Sequence, residues 1–286
     1  MDVIDYSEFV PDVHFEQIPI KNLVSNQEYQ RNLSQGHIER TVRNFDLYQI
    51  NPVKVSRRNG LNYVINGQHT IEIIAAVSGS RETPVWCMVY DDMEYEHEAF
   101  VFANQQKYVK SLSPIEIFKA NIEAGNDTQL IIKELVESYK LKIGPKSSDG
   151  IICAVGALED IYRNGGYHLL DRTLRLCVLT WEGDKISLSR NMLKGVSRLI
   201  VAYKERIDDN CFKEKVGQYS PKEISRIAKE RGLGTLGYAE AILLLYNKKM
   251  RNQLNPIELH NTAADRSSES DVTLFGVSDN ELDEIE

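Results

Sequence analysis

Val53-Lys54-Val55-Ser56-Arg57-Arg58-Asn59-Gly60-Leu61-Asn62-Tyr63-Val64-Ile65-Asn66-Gly67-Gln68-His69-Thr70 is the stretch that decides the fold. Two alternating, β-branched runs, 53–57 and 61–65, flank Asn59-Gly60. That dipeptide accepts positive φ at both central positions of a type I′ turn, so the stretch predicts a two-stranded hairpin. The second strand runs straight into Asn66-Gly67-Gln68-His69, after which 70–77 reads as a buried helix with Gly79 placed to stop it.

Outward from the hairpin, 15–20 alternates weakly and predicts a short strand, in which Pro19 is tolerable only at an edge. Ser34 offers an N-cap for a helix over 37–45 with Ile38, Val42 and Phe45 on one face. A last strand, 84–90, completes an α/β unit. Beyond Asp91-Asp92 the pattern is helical, over 95–107, 113–124, 128–139, 151–162, 168–181, 189–203, 221–231 and 238–250. Ser113-Pro114-Ile115-Glu116 and Ser220-Pro221-Lys222-Glu223 each put Ser at the N-cap, Pro at N1 and Glu at N3, a capping box. The expected fold class is α+β: a loose arm over 1–13, an α/β domain over 14–110, an all-α domain over 111–254, and a disordered acidic tail over 255–286.

Gly67 ends a strand and opens a helix. It permits a sharp turn, and its missing side chain lets a ligand approach the backbone. The following helix offers N–H groups and the positive end of its dipole, for which a phosphate is the natural occupant. Gln68, His69 and Thr70 all carry groups able to bond phosphate oxygens or a base. Chemistry alone leaves a purely structural turn as an equal alternative.

The stretch Val64-Ile65-Asn66-Gly67-Gln68-His69-Thr70-Ile71-Glu72 resembles the hydrophobic, Asp-Gly-x-His-Arg-x-Glu signature of the ParB/sulfiredoxin-like superfamily, which includes the DGQHR-type proteins. Tyr29-Gln30-Arg31 is similar to the family's YQR-like stretch, and Asn51-Pro52-Val53-Lys54-Val55 to its strand entry. The run from Ala103 to Glu116, with Asn104, Gln106, Lys107 and Pro114, resembles the ParB segment E-N-x-Q-R followed by L-x-P-x-E. These landmarks fall in order over 14–120.

The resemblance implies a ParB/sulfiredoxin-like α/β domain that binds a nucleoside triphosphate, CTP or ATP, with magnesium. Arg31, Gly67, Gln68, His69, Thr70, Asn104 and Lys107 are then the nucleotide-binding residues. It also implies DNA as a partner, a homodimer, and a regulatory or partition-like role in a bacterial, phage or mobile-element system. Three departures bear on this. Thr70 stands where the family has Arg, removing a bidentate phosphate contact. Gln68 stands where sulfiredoxins have their catalytic Cys, and Ala103 where ParB has a candidate magnesium carboxylate, for which Glu72 or Glu98 is the available substitute. Two alternatives stay open. One is an enzyme of the superfamily, a nuclease or nucleotide hydrolase or phosphotransferase, with His69 and Glu72 as acid/base candidates. The other is a non-catalytic interaction module. Glu72 also has a plain structural reading, a pair with Arg31 or Lys107.

The 220–231 and 238–251 pair has helix-turn-helix proportions, and Lys222, Arg226 and Lys229 are its candidate DNA contacts. A helical hairpin packed on its own domain explains the same pattern.

With 286 residues and 42% apolar content, the chain can bury a core and divide into two domains. Cys87, Cys153, Cys177 and Cys211 form no Cys-x-x-Cys pair and have no histidine at metal-ligand spacing, which reads as buried thiols in a reducing compartment and no metal site. No apolar run reaches the roughly 20 residues of a membrane span, and the opening residues lack the pattern of a leader, so a soluble, cytoplasmic protein without a membrane partner is expected. Of the net charge of −8, the stretch 260–286 accounts for −7, with eight acids and one base. The remaining body is near neutral, which neither demands nor forbids a polyanion.

Overall fold

The structure, a computed structural model, describes residues 12–25, 32–105, 107, 109–232 and 234–260. The chain divides into two compact units, 1–111 and 112–286. The fold is α+β, with the sheet in the first unit and a helical second unit.

The first unit holds β1 (His14–Pro19), β2 (Leu23–Ser25), α1 (Gln35–Arg43), β3 (Val53–Arg58), β4 (Leu61–Asn66), α2 (Gln68–Ser78), β5 (Pro84–Asp91) and α3 (Tyr95–Asn104). The strands form one mixed sheet in the order β1-β5-β3-β4-β2. Asn59 and Gly60 take φ of 53° and 75°, and Arg58 pairs with Leu61, so the hairpin has the two-residue turn its sequence predicts. β1 lies at one edge of the sheet, where Pro19 can sit without depriving a second neighbour of a donor. The alternate residues Val53, Val55, Val85, Cys87 and Val89 are buried and pack with Ile71 of α2. That core draws on Ile18, Ile20 and Leu23 as well.

Gly79 ends α2 at φ 70°, as expected. The helix opens two residues earlier than its apolar run predicts, on Gln68, and it is one-sided rather than buried: Ile71 and Ile73 are covered while Val77 is 44% exposed. α1 stops at Arg43, short of Phe45, and α3 stops at Asn104 rather than Lys107.

The second unit holds α4 (Pro114–Glu123), α5 (Asp127–Ser138), β6 (Lys142–Ile143), β7 (Ile151–Ile152), α6 (Val155–Trp181), α7 (Arg190–Tyr203), α8 (Asp209–Val216), α9 (Pro221–Arg231), α10 (Gly234–Asn247) and α11 (Ile257–His260). Both expected capping boxes form, at Ser113 and Ser220. The helix expected over 151–162 begins only at Val155, because Ile151-Ile152 pairs in parallel with Lys142-Ile143. It then continues through Gly165-Gly166 to Trp181, breaking at Gly166 with φ 65° and ψ −161°. α8, which the apolar pattern missed, is capped by Asp208, whose carboxylate accepts from the Cys211 N–H at 2.7 Å.

The tail expected to lose structure from Asn255 is corrected at its start. Tyr203 Oη donates to the Asn255 carbonyl at 2.8 Å, and Leu259 is fully buried against the helical core. Residues 261–286 and 1–11, the rest of the expected tail and arm, lie outside the described residues. Among the described residues no helix is long and apolar enough to cross a membrane. Cys87 and Cys177 are buried, which pushes their thiols up to about 11 and about 12, whereas Cys153 and Cys211 are half-buried. None of the four stands in the 66–70 loop.

Candidate functional site

The register of the hairpin shifts between Lys54 and Val55, where β4 carries one extra residue before Asn66. The chain then leaves the sheet through Gly67 at φ 109°, where a Cβ would stand 3.2 Å from Val53 Cγ2. The positive φ favours glycine for the turn itself, so the backbone conformation explains this residue. What the turn achieves is to give α2 an N-cap with no side chain.

α1 starts nearby in space. The Ser34 N–H donates to His69 Nε2 at 3.1 Å, and the His37 and His69 rings meet edge to face with centroids 5.4 Å apart. Two helix N-termini therefore converge. Neither N-cap, Ser34 or Gly67, makes a side-chain capping bond, and neither first turn contains an acid. Each end carries the positive pole of its helix dipole, roughly half a positive charge. Such a junction favours an anion, and the dipoles of two helices add there.

Gln68 is buried, while Gly67, His69 and Thr70 are half-buried around the junction. His69 Nε2 accepts from a backbone donor, so in the neutral ring the proton sits on Nδ1. Glu72 is held by Arg81, which donates to both carboxylate oxygens at 3.1 and 2.9 Å, a partner its sequence reading did not name. The other acid considered, Glu98, is fully buried and bound by Arg58 at 2.6 Å; that guanidinium in turn lies 4.1 Å over the Tyr63 ring. Among the described residues no group of three or more His, Cys, Asp or Glu could hold a metal ion.

Asn104 is the last residue of α3, and its amide donates to the Phe100 carbonyl of the same helix at 2.9 Å. Lys107 follows, exposed. Arg31 lies outside the described residues. Sequence spacing missed Ser34 and His37 as members of this site: Ser34 was legible as a cap, but nothing in the order of residues places it against His69, 35 positions away.

Lys222, Arg226 and Lys229 are exposed along one side of α9. α10, which would be the recognition helix of a helix-turn-helix, is instead a core element: Ala239, Ala241, Ile242, Leu245 and Tyr246 are buried, and the helix packs on α7 and α9. The hairpin thus packs on its own unit.

The class defined here is a mixed-sheet α+β unit with paired helix N-termini, followed in the chain by a helical unit. Residues 24–259 match the model described as a family of unknown function, DUF6551, and the chain belongs to that family. No curated protein matches the sequence. Among solved structures, the chain is similar to the C-terminally truncated chromosome-partitioning protein ParB from Caulobacter crescentus complexed with CTP-gamma-S, at 14% identity and a TM-score of 0.34 over 80% of this chain and 99% of that one. It is similar also to the same truncated ParB complexed to the centromeric parS site (13%, TM-score 0.21, 80% and 98% covered) and to a Pnob8-like ParB-N domain (15%, 0.27, 84% and 95%). Superposition is weak in each case, and the functional reading rests on the junction geometry.

Proposed function

We propose that this protein binds a nucleoside triphosphate, CTP or ATP carried with magnesium, at the junction of α1 and α2, and that the bound state regulates association with DNA. The observation that carries this reading is the meeting of two helix N-termini that have no capping side chain and no acid in their first turns. An anion with several oxygens is the complement of such a junction. The resemblance of 64–72 to a nucleotide-binding signature points to the same ligand class. Gly67, Gln68, His69 and Thr70 hold the phosphates; Arg31 and Lys107 are the proposed neutralising cations, and Asn104 the base-orienting amide. When bound, the magnesium ion neutralises phosphate charge. Binding is favoured over acid/base catalysis because Glu72 is committed to Arg81 and His69 Nε2 to Ser34.

Thermal unfolding of the full chain with magnesium and each of CTP, ATP and GTP is the test. A ligand at a hundred times its Kd stabilises the folded state by about 2.7 kcal/mol. One nucleotide should raise the Tm, and Thr70→Glu, which adds like charge at the helix start, should remove the shift. No shift with any nucleotide ends the reading. DNA association is proposed for the Lys222, Arg226 and Lys229 side of α9, which would act through phosphate contacts rather than base readout. Reversing these three charges should weaken binding and flatten its salt dependence.

A further inference from the structure

α4, α5 and β6 enclose a cleft of about 730 Å³ on the helical unit. Its floor is apolar, with Phe118 and Leu141 buried and Ile122 and Ile143 half-buried. Its rim carries Lys119, Lys133, Lys140 and Lys142, for none of which an ion pair is found among the described residues. Glu123 and Glu137 also line it, leaving an excess of positive charge. An apolar floor with a cationic rim matches a peptide that alternates bulky apolar residues with acids.

The chain carries such a segment. Asp271-Val272-Thr273-Leu274-Phe275-Gly276-Val277 is followed by Asp279, Glu281, Asp283 and Glu284. We propose that this acidic segment of the same chain docks in the α4–α5–β6 cleft, Leu274 and Phe275 on the floor and the acids against the lysines. The α9 side carries the same excess of cations over acids, and what distinguishes the cleft is its apolar floor. Reach is sufficient: the fourteen residues from His260 to Leu274 extend up to about 46 Å, more than the roughly 40 Å across a globule of about 150 residues. Tethering holds the segment at an effective concentration in about the millimolar range, so even a weak contact is populated. The inference is independent of the nucleotide reading.

Carbodiimide cross-linking of the full chain, in an equal mixture of unlabelled and 15N-labelled protein, reads the contact directly by mass spectrometry. The expected products join Lys119, Lys133, Lys140 or Lys142 to Asp279, Glu281, Asp283 or Glu284 within one isotopic form, and they fade in high salt. Leu274→Ser with Phe275→Ser keeps the charge and every lysine but removes the apolar anchor, and should cut these products several-fold. Three outcomes overturn the proposal: products spread equally over Lys222 and Lys229, products that chiefly join the two isotopic forms, or a yield unchanged by the double substitution.

Discussion

The sheet unit and the helical unit divide the work of burial differently. In the sheet unit a compact set of valines and isoleucines from β1, β3, β4, β5 and α2 forms the core, and ion pairs such as Arg58–Glu98 and Arg57–Glu16 tie the strands to what surrounds them. In the helical unit the core runs through α4 to α11 and consists chiefly of leucine and isoleucine, with Phe212 meeting Trp181 edge to face and Tyr246 at a tilt. The smaller core leaves element ends exposed, and the candidate site is made of two such ends. The larger core covers most of its helices and leaves its distinctive chemistry in a cleft and a charged stripe. A small sheet domain can thus place polar groups where a helical bundle of this kind mostly cannot.

Breaking the Arg58–Glu98 pair should have the largest effect on the sheet unit. Glu98→Ala removes a fully buried carboxylate from the half-buried Arg58 and should cost about 3–5 kcal/mol. Calorimetry should show the sheet transition fall and the helical one stay. A shift of both together would merge the two units into one cooperative body. On the other side, Leu174→Ala removes a fully buried side chain of α6 and should cost the helical unit about 2–5 kcal/mol in urea unfolding, with the sheet unit unmoved.

Gly67→Ala should cost the sheet unit about 1–3 kcal/mol, combining a positive φ with the 3.2 Å approach to Val53. Gly79→Ala, at φ 70° with nothing within 4 Å, should cost less, and equal losses would show that the Val53 contact is harmless.

The smallest expected effect is one of pH. The hydrogen bond from Arg57 holds the Glu16 carboxyl below its ordinary value of 4.5. In the folded state Glu16 therefore binds fewer protons than when unfolded, so acid favours unfolding. The stability it contributes is complete above the ordinary value and is lost as pH falls through the lowered one. Arg57→Leu should flatten that part of the sheet unit's acid unfolding curve, while leaving the helical unit's curve unchanged.

Much of the fold was legible because the signals are local. Asn59-Gly60 carries its own turn geometry, Ser113 and Ser220 their capping boxes, and Gly79 its helix stop. The errors fall where packing overrides pattern. Ile151-Ile152 looks helical by its neighbours, yet it pairs with Lys142-Ile143. Leu259 belongs to a polar stretch but finishes the core of the helical unit.

By itself the sequence determined the hairpin, the strand-glycine-helix junction and the succession of helices, because turn chemistry and hydrophobic period act over a few residues. It also singled out Gly67, Gln68, His69 and Thr70 as one cluster, since they are consecutive. Only the tertiary structure decided that Ser34 and His37 join them, that Arg81 claims Glu72, and that four lysines rim one apolar cleft. Those contacts depend on how whole elements pack against one another, and no short-range preference encodes the packing of α1 on α2 or of α4 on α5.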